Sequence, residues 1–552
     1  MPSSLENLQP RAVWSHFATL CAIPRPSLHE AALREHLIGW AQARGIAAVV
    51  DGAGNLLLKK PASPGCEAMP GVILQGHLDM VCQANAGTVH DFERKPICAV
   101  VRDGWVVAED TTLGADNGIG VALALASLEE PGLIHPPLEV LLTVNEESGM
   151  DGARGLAPGT LQGKMLINLD TEEWGHFYLG CAGGVDVEVR NTMGTLNQSV
   201  RGDPSTSSGR TGNDGLAPAE VPPDYALLRF EVSGLRGGHS GIDIHLGRGN
   251  AIKLLAEALR DLSAHTEVRL IEMQGGTARN AIPREAFATC ALPVAMASNI
   301  DEWVRHRHQA WRARFAEADA NVSFVCKHYD TPPDASISRT EPVAPHVRGE
   351  LVEPWTGADI PPSTGSGRTD SCKAIANAER DRLLAFLDIA ANGVSRISET
   401  FPGVTDTSSN LGVLVLEQGT LKATFKVRSL HDGRADALAD KLVAHASSYG
   451  FQAWKDGAYP GWTPNPSSNL LALCQQVYTA QFGQHAGLQV IHAGLECGLL
   501  AASHPQLDMI SFGPNIRGAH APGERVEIAS VGRCWQLLKA ALQALAKVQQ
   551  TS

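Results

Sequence analysis

Short apolar runs that each end in polar side chains dominate the first third of the chain. Residues 72–75, 138–144 and 165–169 have strand length and strand composition, whereas 30–44 has helical spacing and the small, apolar run 118–128 indicates a buried helix. Strands that alternate with helices predict an α/β sheet with crossover connections. Ligands of such sheets gather beyond the strand ends. The polar residues after each run are therefore expected to meet at one edge of the sheet.

The middle of the chain has a different pattern. Strands are predicted at residues 227–232 and 267–272, a helix at 250–262, and a hairpin at 411–427. An α/β pattern then returns and continues to a C-terminal helix at 531–548. A chain of 552 residues is too long for one ordinary core. We therefore predict one domain from residues 1–187 and 461–552, with residues 188–460 inserted into it.

Two segments inside the middle region resemble each other. Residues near 199–224 and 346–378 share the letters VRG and PST-x-SGRT, and both are rich in Ser, Thr, Gly and Pro. This composition cannot build a packed core, so we predict two flexible exposed insertions. Surface insertions of this kind are usually tolerated, and we expect no functional role for them.

Composition excludes several function classes. The formal net charge is −14 and no basic cluster is present, which argues against nucleic acid or an anionic membrane as partner. No secretory signal pattern and no apolar run long enough to span a bilayer is found. The 11 cysteines are scattered without C-x-x-C spacing, which predicts reduced thiols and a cytoplasmic protein.

The first two polar clusters offer a histidine and two carboxylates. His77 and Asp79 follow residues 72–75, and strand alternation would place them on the same side. A carboxylate behind a metal-binding histidine fixes its tautomer, although a surface His–Asp pair explains the same letters. Asp116 lies in a Gly-rich turn before an apolar helix, where it would cap the helix or bridge two cations.

The remaining clusters add acids and a second histidine. Glu146 and Glu147 follow residues 138–144, and adjacent acids at a buried strand end are costly unless a cation meets them. Strand alternation would give them different directions and different tasks; a solvated acidic turn is the alternative. Asp170 ends residues 165–169, and His520 lies in a Gly- and Pro-rich loop.

Together these residues predict a centre with two metals. Two imidazoles and three carboxylates suit zinc or manganese, and the set is His77, Asp116, Glu147, Asp170 and His520. With Asp116 as the bridge, each metal receives one histidine and one further carboxylate. Paired metals activate water and polarise a carbonyl group. Glu146 is then free to act as general base and later as proton donor to the leaving amine.

Six motifs carry a family resemblance: GHLDMV, TTLGADNGIG, NEESGMDGARGL, NLDTEEWG, GLRGGHSGIDI and GAHAPGE. In this order they resemble the di-zinc exopeptidases of the aminoacylase and carboxypeptidase type, and most of all the aminoacyl-histidine (Xaa-His, carnosine-hydrolysing) dipeptidase branch. The resemblance covers nearly the whole chain except the two insertions. It implies an α/β fold, with a phosphorylase/hydrolase-like di-zinc catalytic domain and an inserted α+β lid domain that also forms a homodimer.

The resemblance also implies a role for each residue. It gives the five metal ligands named above with Asp116 as the bridge, Asp79 as the acid behind His77, and Glu146 as the general base. In the lid, His239 would polarise the scissile carbonyl oxygen, while Asn280 and Arg428 would bind the substrate carboxylate. Taken alone, Arg428 is equally a strand-edge charge and Asn280 a turn residue. Two divalent metal ions per chain are implied, Zn²⁺ first, with Mn²⁺ or Co²⁺ as alternatives.

The predicted activity is metal-dependent hydrolysis of unblocked dipeptides, preferably Xaa-His such as carnosine. Cationic and amide groups on a lid would recognise a free carboxylate and limit substrate length. Two alternatives stay open: a related di-zinc tripeptidase or N-acyl amino acid hydrolase, and a non-catalytic metal-binding relative disabled by its lid insertions. The presence of Glu146 beside all five ligands argues against the second alternative.

Overall fold

The computed structural model describes residues 4–85, 87–192, 219–220, 224–329 and 373–547. Most of the two predicted insertions therefore lies outside the described residues. Where the chain is described again after each gap, Ala219–Glu220 pairs antiparallel with Lys373–Ala374. The ends of the two inserted segments thus lie side by side.

The elements up to Cys181 contain most of a first sheet. In chain order they are α1 (Arg11–Ala22), α2 (Ala31–Gln42), β1 (Ala47–Val50), β2 (Leu56–Lys60), β3 (Val72–His77), β4 (Val100–Arg102), β5 (Trp105–Val107), α3 (Ala115–Glu129), β6 (Leu138–Thr143), α4 (Glu146–Gly149), α5 (Asp151–Gly155), β7 (Met165–Asn168) and β8 (His176–Cys181).

The middle elements build a second sheet and its helices. They are β9 (Gly183–Thr192), β10 (Ala219–Glu220), β11 (Tyr225–Ser233), α6 (Ala251–His265), β12 (Arg269–Gly275), β13 (Ala286–Pro293), α7 (Val294–Ala297), α8 (Ile300–Arg314), β14 (Ser323–Tyr329), β15 (Lys373–Ala374), α9 (Asn377–Ile389), β16 (Gly393–Ile397), β17 (Thr405–Glu417), β18 (Thr420–Ser429), α10 (Asp432–Ser448) and β19 (Gln452–Tyr459).

The last elements return to the first sheet. They are α11 (Asn469–Phe482), β20 (Gly487–Ile491), α12 (Glu496–Ser503), β21 (Asp508–Ser511), β22 (Ile516–Arg517), β23 (Arg525–Glu527) and α13 (Ile528–Leu545). Strands β22 and β23 form a small separate sheet with β5 and β4.

The first sheet has eight strands in the order β1-β2-β6-β3-β7-β21-β8-β20. Its centre, β6-β3-β7-β21, is parallel, so the carboxyl ends of these strands share one edge. Every residue of β3 and β6 is buried. Burial on both faces explains why the sequence shows continuous apolar runs here instead of alternation. Helix α3 lies in the same core and is buried on nearly all sides.

The second sheet has nine strands, in the order β14-β11-β13-β12-β17-β18-β9-β19 with β16 beside β17. All its pairings are antiparallel. Residues of α6, α9 and α10 pack with it in a second hydrophobic core, separate from the first. Asn250 caps α6 by accepting hydrogen bonds from the backbone of Ile252 and Lys253. The sheet begins at Gly183, slightly before the boundary expected at residue 188.

Two local expectations from strand alternation were wrong. Strand β3 ends at His77, so Asp79 lies beyond the strand. Glu146 and Glu147 lie in the short helix α4, not in a strand. The reason is Asn145, whose φ of 53° is left-handed and turns the chain out of β6 into the helical turn.

The described residues contain no helix that combines the length and the apolar character required for a membrane span. The cysteines in the described ranges are free thiols, most of them buried.

Candidate metal centre and substrate site

The end of β3 and the turns before α3 and after β7 bring one histidine between two carboxylates. His77 Nε2 lies 3.3 Å from Asp116 Oδ1 and 3.5 Å from Asp170 Oδ1. The His77 side chain is almost fully buried, and both acids are largely buried. Candidate donor atoms of these three residues lie within 4.8 Å of one another, as expected for the ligands of one cation.

A second set of donors shares Asp116. His520 Nε2 lies 3.0 Å from Asp116 Oδ2 and 3.1 Å from Glu147 Oε2. The donor atoms of this set also lie within 4.8 Å of one another. Asp116 therefore directs one carboxylate oxygen to each histidine. This is the arrangement required of a carboxylate that bridges two metals.

Asp79 organises the first histidine and the two glutamates at once. Its Oδ1 lies 3.4 Å from His77 Nδ1, on the ring side opposite the candidate ligand atom Nε2. Its two carboxylate oxygens accept hydrogen bonds from the backbone N–H groups of Glu146 and Glu147, at 3.0 and 3.1 Å. A carboxylate in this position orients the ring and fixes its tautomer.

Glu146 lies outside the two donor sets that share Asp116, although one of its oxygens lies within 4.8 Å of donor atoms of His77 and Glu147. Its Oε2 lies 4.0 Å from His77 Nε2. Burial raises the pKa of the Glu146 carboxyl well above its usual value, opposed by the charge of His77 and reinforced by Glu147 and Asp170. An acid with a raised pKa beside metal ligands is suited to accept and return a proton near neutral pH.

The surrounding groups have strongly perturbed proton affinities. Burial raises the pKa of Asp170 to about 8, against the opposing charge of His77. Burial also raises the pKa of Glu147. For His77, burial opposes the charged form, but the charge of Asp170 and hydrogen bonds with acids outweigh it and raise the pKa. Burial and mutual repulsion of this kind disfavour the charged acids unless positive charge lies among them.

The donor set fits two divalent cations. Two imidazoles and three carboxylates surround a shared Asp116, and Glu147 Oε1 is a buried oxygen that accepts no hydrogen bond. Nitrogen and oxygen donors in this ratio match zinc or manganese chemistry. The five residues named from the sequence are thus brought together, with Asp79 and Glu146 beside them.

His239, Asn280 and Arg428, from the middle of the chain, form a second cluster. His239 Nδ1 accepts hydrogen bonds from the backbone of Gly241 and Ile242, so in the neutral ring the proton is on Nε2. That Nε2 lies 3.3 Å from Nη2 of the fully buried Arg428. Asn280 lies next to them, because its backbone carbonyl oxygen accepts from the backbone N–H of Ser240 at 2.7 Å. Two N–H donors that face the same space suit an anionic oxygen.

One loop of the first sheet links this cluster to the metal centre. His492 follows β20, and its Nε2 hydrogen-bonds Ser408 Oγ of β17 at 2.8 Å. A Cβ added at Gly241 would lie 1.9 Å from the His492 carbonyl oxygen, so only glycine permits this contact. Four residues further on, Glu496 accepts hydrogen bonds from Gln75 of β3, the strand that ends at His77, and from Thr143, the last residue of β6 before the turn to Glu146.

Sequence reasoning missed three buried charged residues around the centre: Arg25, Glu496 and Glu524. Glu524 belongs to the GAHAPGE motif, in which His520 is the residue type that indicates a metal ligand. Glu496 is an acid inside an otherwise apolar and small run, which is a usable signal for a buried carboxylate. Arg25 lies between two prolines and carried no signal of its own.

Comparison with known proteins identifies the family. The model of peptidase family M20/M25/M40 matches residues 73–544, which is most of the chain. The chain belongs to peptidase family M20/M25/M40. The expected resemblance to metal-dependent exopeptidases and the expected enzyme class, a hydrolase acting on peptide bonds, are thereby confirmed.

The chain is similar to known peptidases along nearly the whole length of both proteins. The cytosol non-specific dipeptidase of Escherichia coli (strain K12) is 38% identical over 536 residues, 97% of this chain and 98% of that protein. The aminoacylhistidine dipeptidase structure from Vibrio alginolyticus has 36% identity and a TM-score of 0.79, with 98% of each chain covered. Aminopeptidase PepT from Bacillus cereus, at 14% identity and a TM-score of 0.53 over 98% of this chain and 100% of its own, shares the fold alone.

These matches also bear on the fold. The likeness to the Vibrio structure covers both sheets, and it confirms the expected α/β class for this M20/M25/M40 peptidase. The family match and the ligand cluster together support a metal-dependent enzyme with a di-metal centre.

Proposed function

We propose that this chain is a di-metal dipeptidase that cleaves unblocked dipeptides and prefers those with a C-terminal histidine. One observation carries the proposal: Asp116 directs its two carboxylate oxygens to His77 and His520, which gives two ligand sets with a common member. The full-length similarity to a cytosol non-specific dipeptidase and to an aminoacylhistidine dipeptidase supports the substrate class.

In this proposal His77, Asp116 and Asp170 would hold one cation, and Asp116, Glu147 and His520 would hold the other. When bound, the pair would supply an activated water and polarise the scissile carbonyl group. Glu146 accepts the proton of the attacking water and passes it to the leaving amine. Asp79 keeps the His77 ring in the tautomer whose Nε2 faces the cation.

The lid cluster accounts for the choice of substrate. His239, with its proton on Nε2, donates to the carbonyl oxygen as negative charge develops there. Arg428 and Asn280 bind the free carboxylate, because a guanidinium offers two parallel donors to a carboxylate and an amide adds a third. A carboxylate held at a fixed distance from the scissile bond limits the substrate to two residues.

Several finer features belong to the same proposal. We assign residues 1–187 and 461–552 to the catalytic domain and 188–460 to the lid, which also forms a homodimer. Zn²⁺ is the proposed metal, because two histidines with three carboxylates match its usual ligands. Free buried cysteines and the location named for the Escherichia coli relative favour the cytoplasm.

The test is a cleavage panel on one sample of known metal content. The panel contains β-Ala-His, Ala-His, Ala-Ala, Ala-Ala-Ala and N-acetyl-His, each with and without added Zn²⁺ or Mn²⁺. The proposal predicts metal-dependent release of histidine from the first two substrates, abolished by a chelator, with slower cleavage of Ala-Ala.

Other outcomes identify the alternatives. Preferred cleavage of Ala-Ala-Ala would indicate a tripeptidase, and preferred cleavage of N-acetyl-His an N-acyl amino acid hydrolase. Two metals bound with no substrate cleaved would contradict catalysis and favour a non-catalytic relative disabled in its lid.

A further inference from the structure

A buried carboxylate far along the chain holds the segment that carries Asp116. Glu524 is only 1% exposed, and its carboxylate is bonded to backbone N–H groups. Its Oε2 accepts hydrogen bonds from the backbone N–H of Leu113 and Gly114 at 2.7 and 2.9 Å. Its Oε1 accepts from Ala115 and Asp116 at 2.7 and 3.1 Å. Four successive N–H groups at the start of α3 are thus satisfied by one side chain.

A buried arginine holds the same segment from its carbonyl side. Arg25, also 1% exposed, donates from Nη1 to the carbonyl oxygens of Leu78 and Asp79, both at 2.8 Å. Its Nη2 donates to the carbonyl oxygen of Gly114 at 2.5 Å. The guanidinium therefore connects the segment after His77 to the segment before Asp116.

Two glycines make room for this arginine. A Cβ at Gly114 would lie 2.5 Å from Arg25 Nη2, and a Cβ at Gly118 would lie 2.6 Å from the same atom. A side chain at either glycine of the sequence GADNG would therefore displace the Arg25 guanidinium from its observed position, and Gly114 also has a left-handed φ of 70°.

The two charges act on opposite polar groups of one short segment. Gly114 alone gives its N–H to Glu524 and its carbonyl oxygen to Arg25. Glu524 lies on the same loop as His520, and Arg25 is bonded to the segment next to His77. These two side chains therefore contact the segments that carry Asp116 and His77, although neither side chain is a candidate ligand.

We propose that Arg25 and Glu524 form a clamp of positioning residues that places the Asp116 carboxylate between the two metal sites. This inference rests on the di-metal centre proposed above. Burial of two charges is costly, and bonds to backbone groups of the ligand-bearing segments offset that cost only in this geometry. Residues that orient metal ligands from outside affect metal affinity or activity by about 10–100-fold.

The experiment compares Glu524→Gln with Glu139→Gln. Glutamine at position 524 keeps one acceptor oxygen but turns an NH₂ group toward two backbone donors. Glu139 is the matched control, because it is also buried and accepts from the backbone of Gln162 and Gly163, both at 2.9 Å, at the opposite end of β6. Metal-free protein of each variant is titrated calorimetrically with Zn²⁺, and unfolding temperature is measured on the same samples.

The clamp predicts that Glu524→Gln weakens Zn²⁺ binding about 10–100-fold and lowers kcat with KM within about twofold. Glu139→Gln should lower the unfolding temperature and leave Zn²⁺ affinity unchanged. In Mn²⁺-loaded samples, electron paramagnetic resonance should show coupled ions in wild type and signals of isolated ions in Glu524→Gln. Restored affinity in Glu524→Asp, which returns both oxygens, would support the same conclusion.

Equal Zn²⁺ affinity in wild type and Glu524→Gln, or equal losses in the two glutamine variants, would overturn the clamp and leave a purely structural carboxylate. If Glu524→Gln is insoluble, Arg25→Lys takes its place, because lysine cannot reach three carbonyl oxygens with a planar fork. The same loss of affinity is expected there, and an unchanged affinity overturns the clamp. Failure of wild type to bind Zn²⁺ would instead contradict the metal centre itself.

Discussion

His520 Nε2 lies 3.0 Å from Asp116 Oδ2, although the two residues are 404 positions apart in the chain. On the other side of Asp116, the Oδ1 atom faces His77 at 3.3 Å. Asp116 is therefore held between histidines from two distant parts of the sequence. The roles of the acids around this bridge can be separated by substitution.

Glu146 and Glu147 are neighbours with different expected tasks. Glu146→Gln should keep both metals and lower kcat roughly 10²–10⁴-fold, because the side chain no longer accepts a proton. Glu147→Gln removes a charged donor next to His520. Its metal content should therefore fall, while kcat per bound metal should change less. Metal content and kcat on the same preparations check this. Normal turnover in Glu146→Gln would contradict its assignment as general base.

Arg428 should act on the free carboxylate of the substrate. Arg428→Lys should raise KM for Ala-His about tenfold or more, since lysine cannot make two parallel hydrogen bonds to a carboxylate. The preference for Ala-His over Ala-His amide should shrink by a similar factor. Arg396→Lys, on the exposed strand β16, is the control and should change neither constant. An unchanged preference in Arg428→Lys would remove this residue from carboxylate recognition.

Metal binding should release protons. Burial raises the pKa of Asp170 to about 8 and that of Glu146 and Glu147 above their usual values. Nearby acids raise the pKa values of His77 and His520 although burial opposes them. Metal-free protein at pH 7 therefore carries protons on groups that must lose them to bind a cation.

We expect Zn²⁺ binding at pH 7 to release at least one proton per chain and to tighten as pH rises. Calorimetric titration in buffers of different ionisation enthalpy measures the number directly. Protein already saturated with Zn²⁺ provides the blank. A binding heat that is the same in all buffers would show that the ligands are not protonated in the metal-free state.

The sequence predicted which side chains meet at the sheet edge better than it predicted their local geometry. Continuous apolar runs end at or just before His77, Glu146 and Asp170, because buried parallel strands leave their polar ends at one edge of the sheet. The turn at Asn145 was not predictable from strand alternation, because a residue with left-handed φ ends the strand and changes the direction in which the following side chains point. Arg25 and Glu524 were missed because each forms hydrogen bonds with backbone groups of distant segments. Backbone groups are the same in every residue type, so the sequence does not indicate such contacts.

Acid should destabilise the contact between the two sheets through His492. His492 is buried against Ser408, and burial together with the charges of Arg428, His239 and His245 lowers its pKa to about 3. In the unfolded chain the pKa returns to about 6.5. Between these values the unfolded state binds the extra proton, so this group lowers stability as pH falls from about 6.5 toward 3.

His492→Gln should therefore make the unfolding temperature less sensitive to acid. Above pH 6.5 the substitution costs whatever packing and hydrogen bonding it removes, and this cost is constant. Below pH 6.5 wild type additionally loses up to about 1.4 kcal/mol per pH unit, and the variant does not. Unfolding temperatures of metal-free protein from pH 7.5 to 4.5 compare the slopes, with the exposed His306→Gln on α8 as control. Parallel curves for wild type and His492→Gln would show that His492 takes a proton in the folded protein as readily as in the unfolded chain.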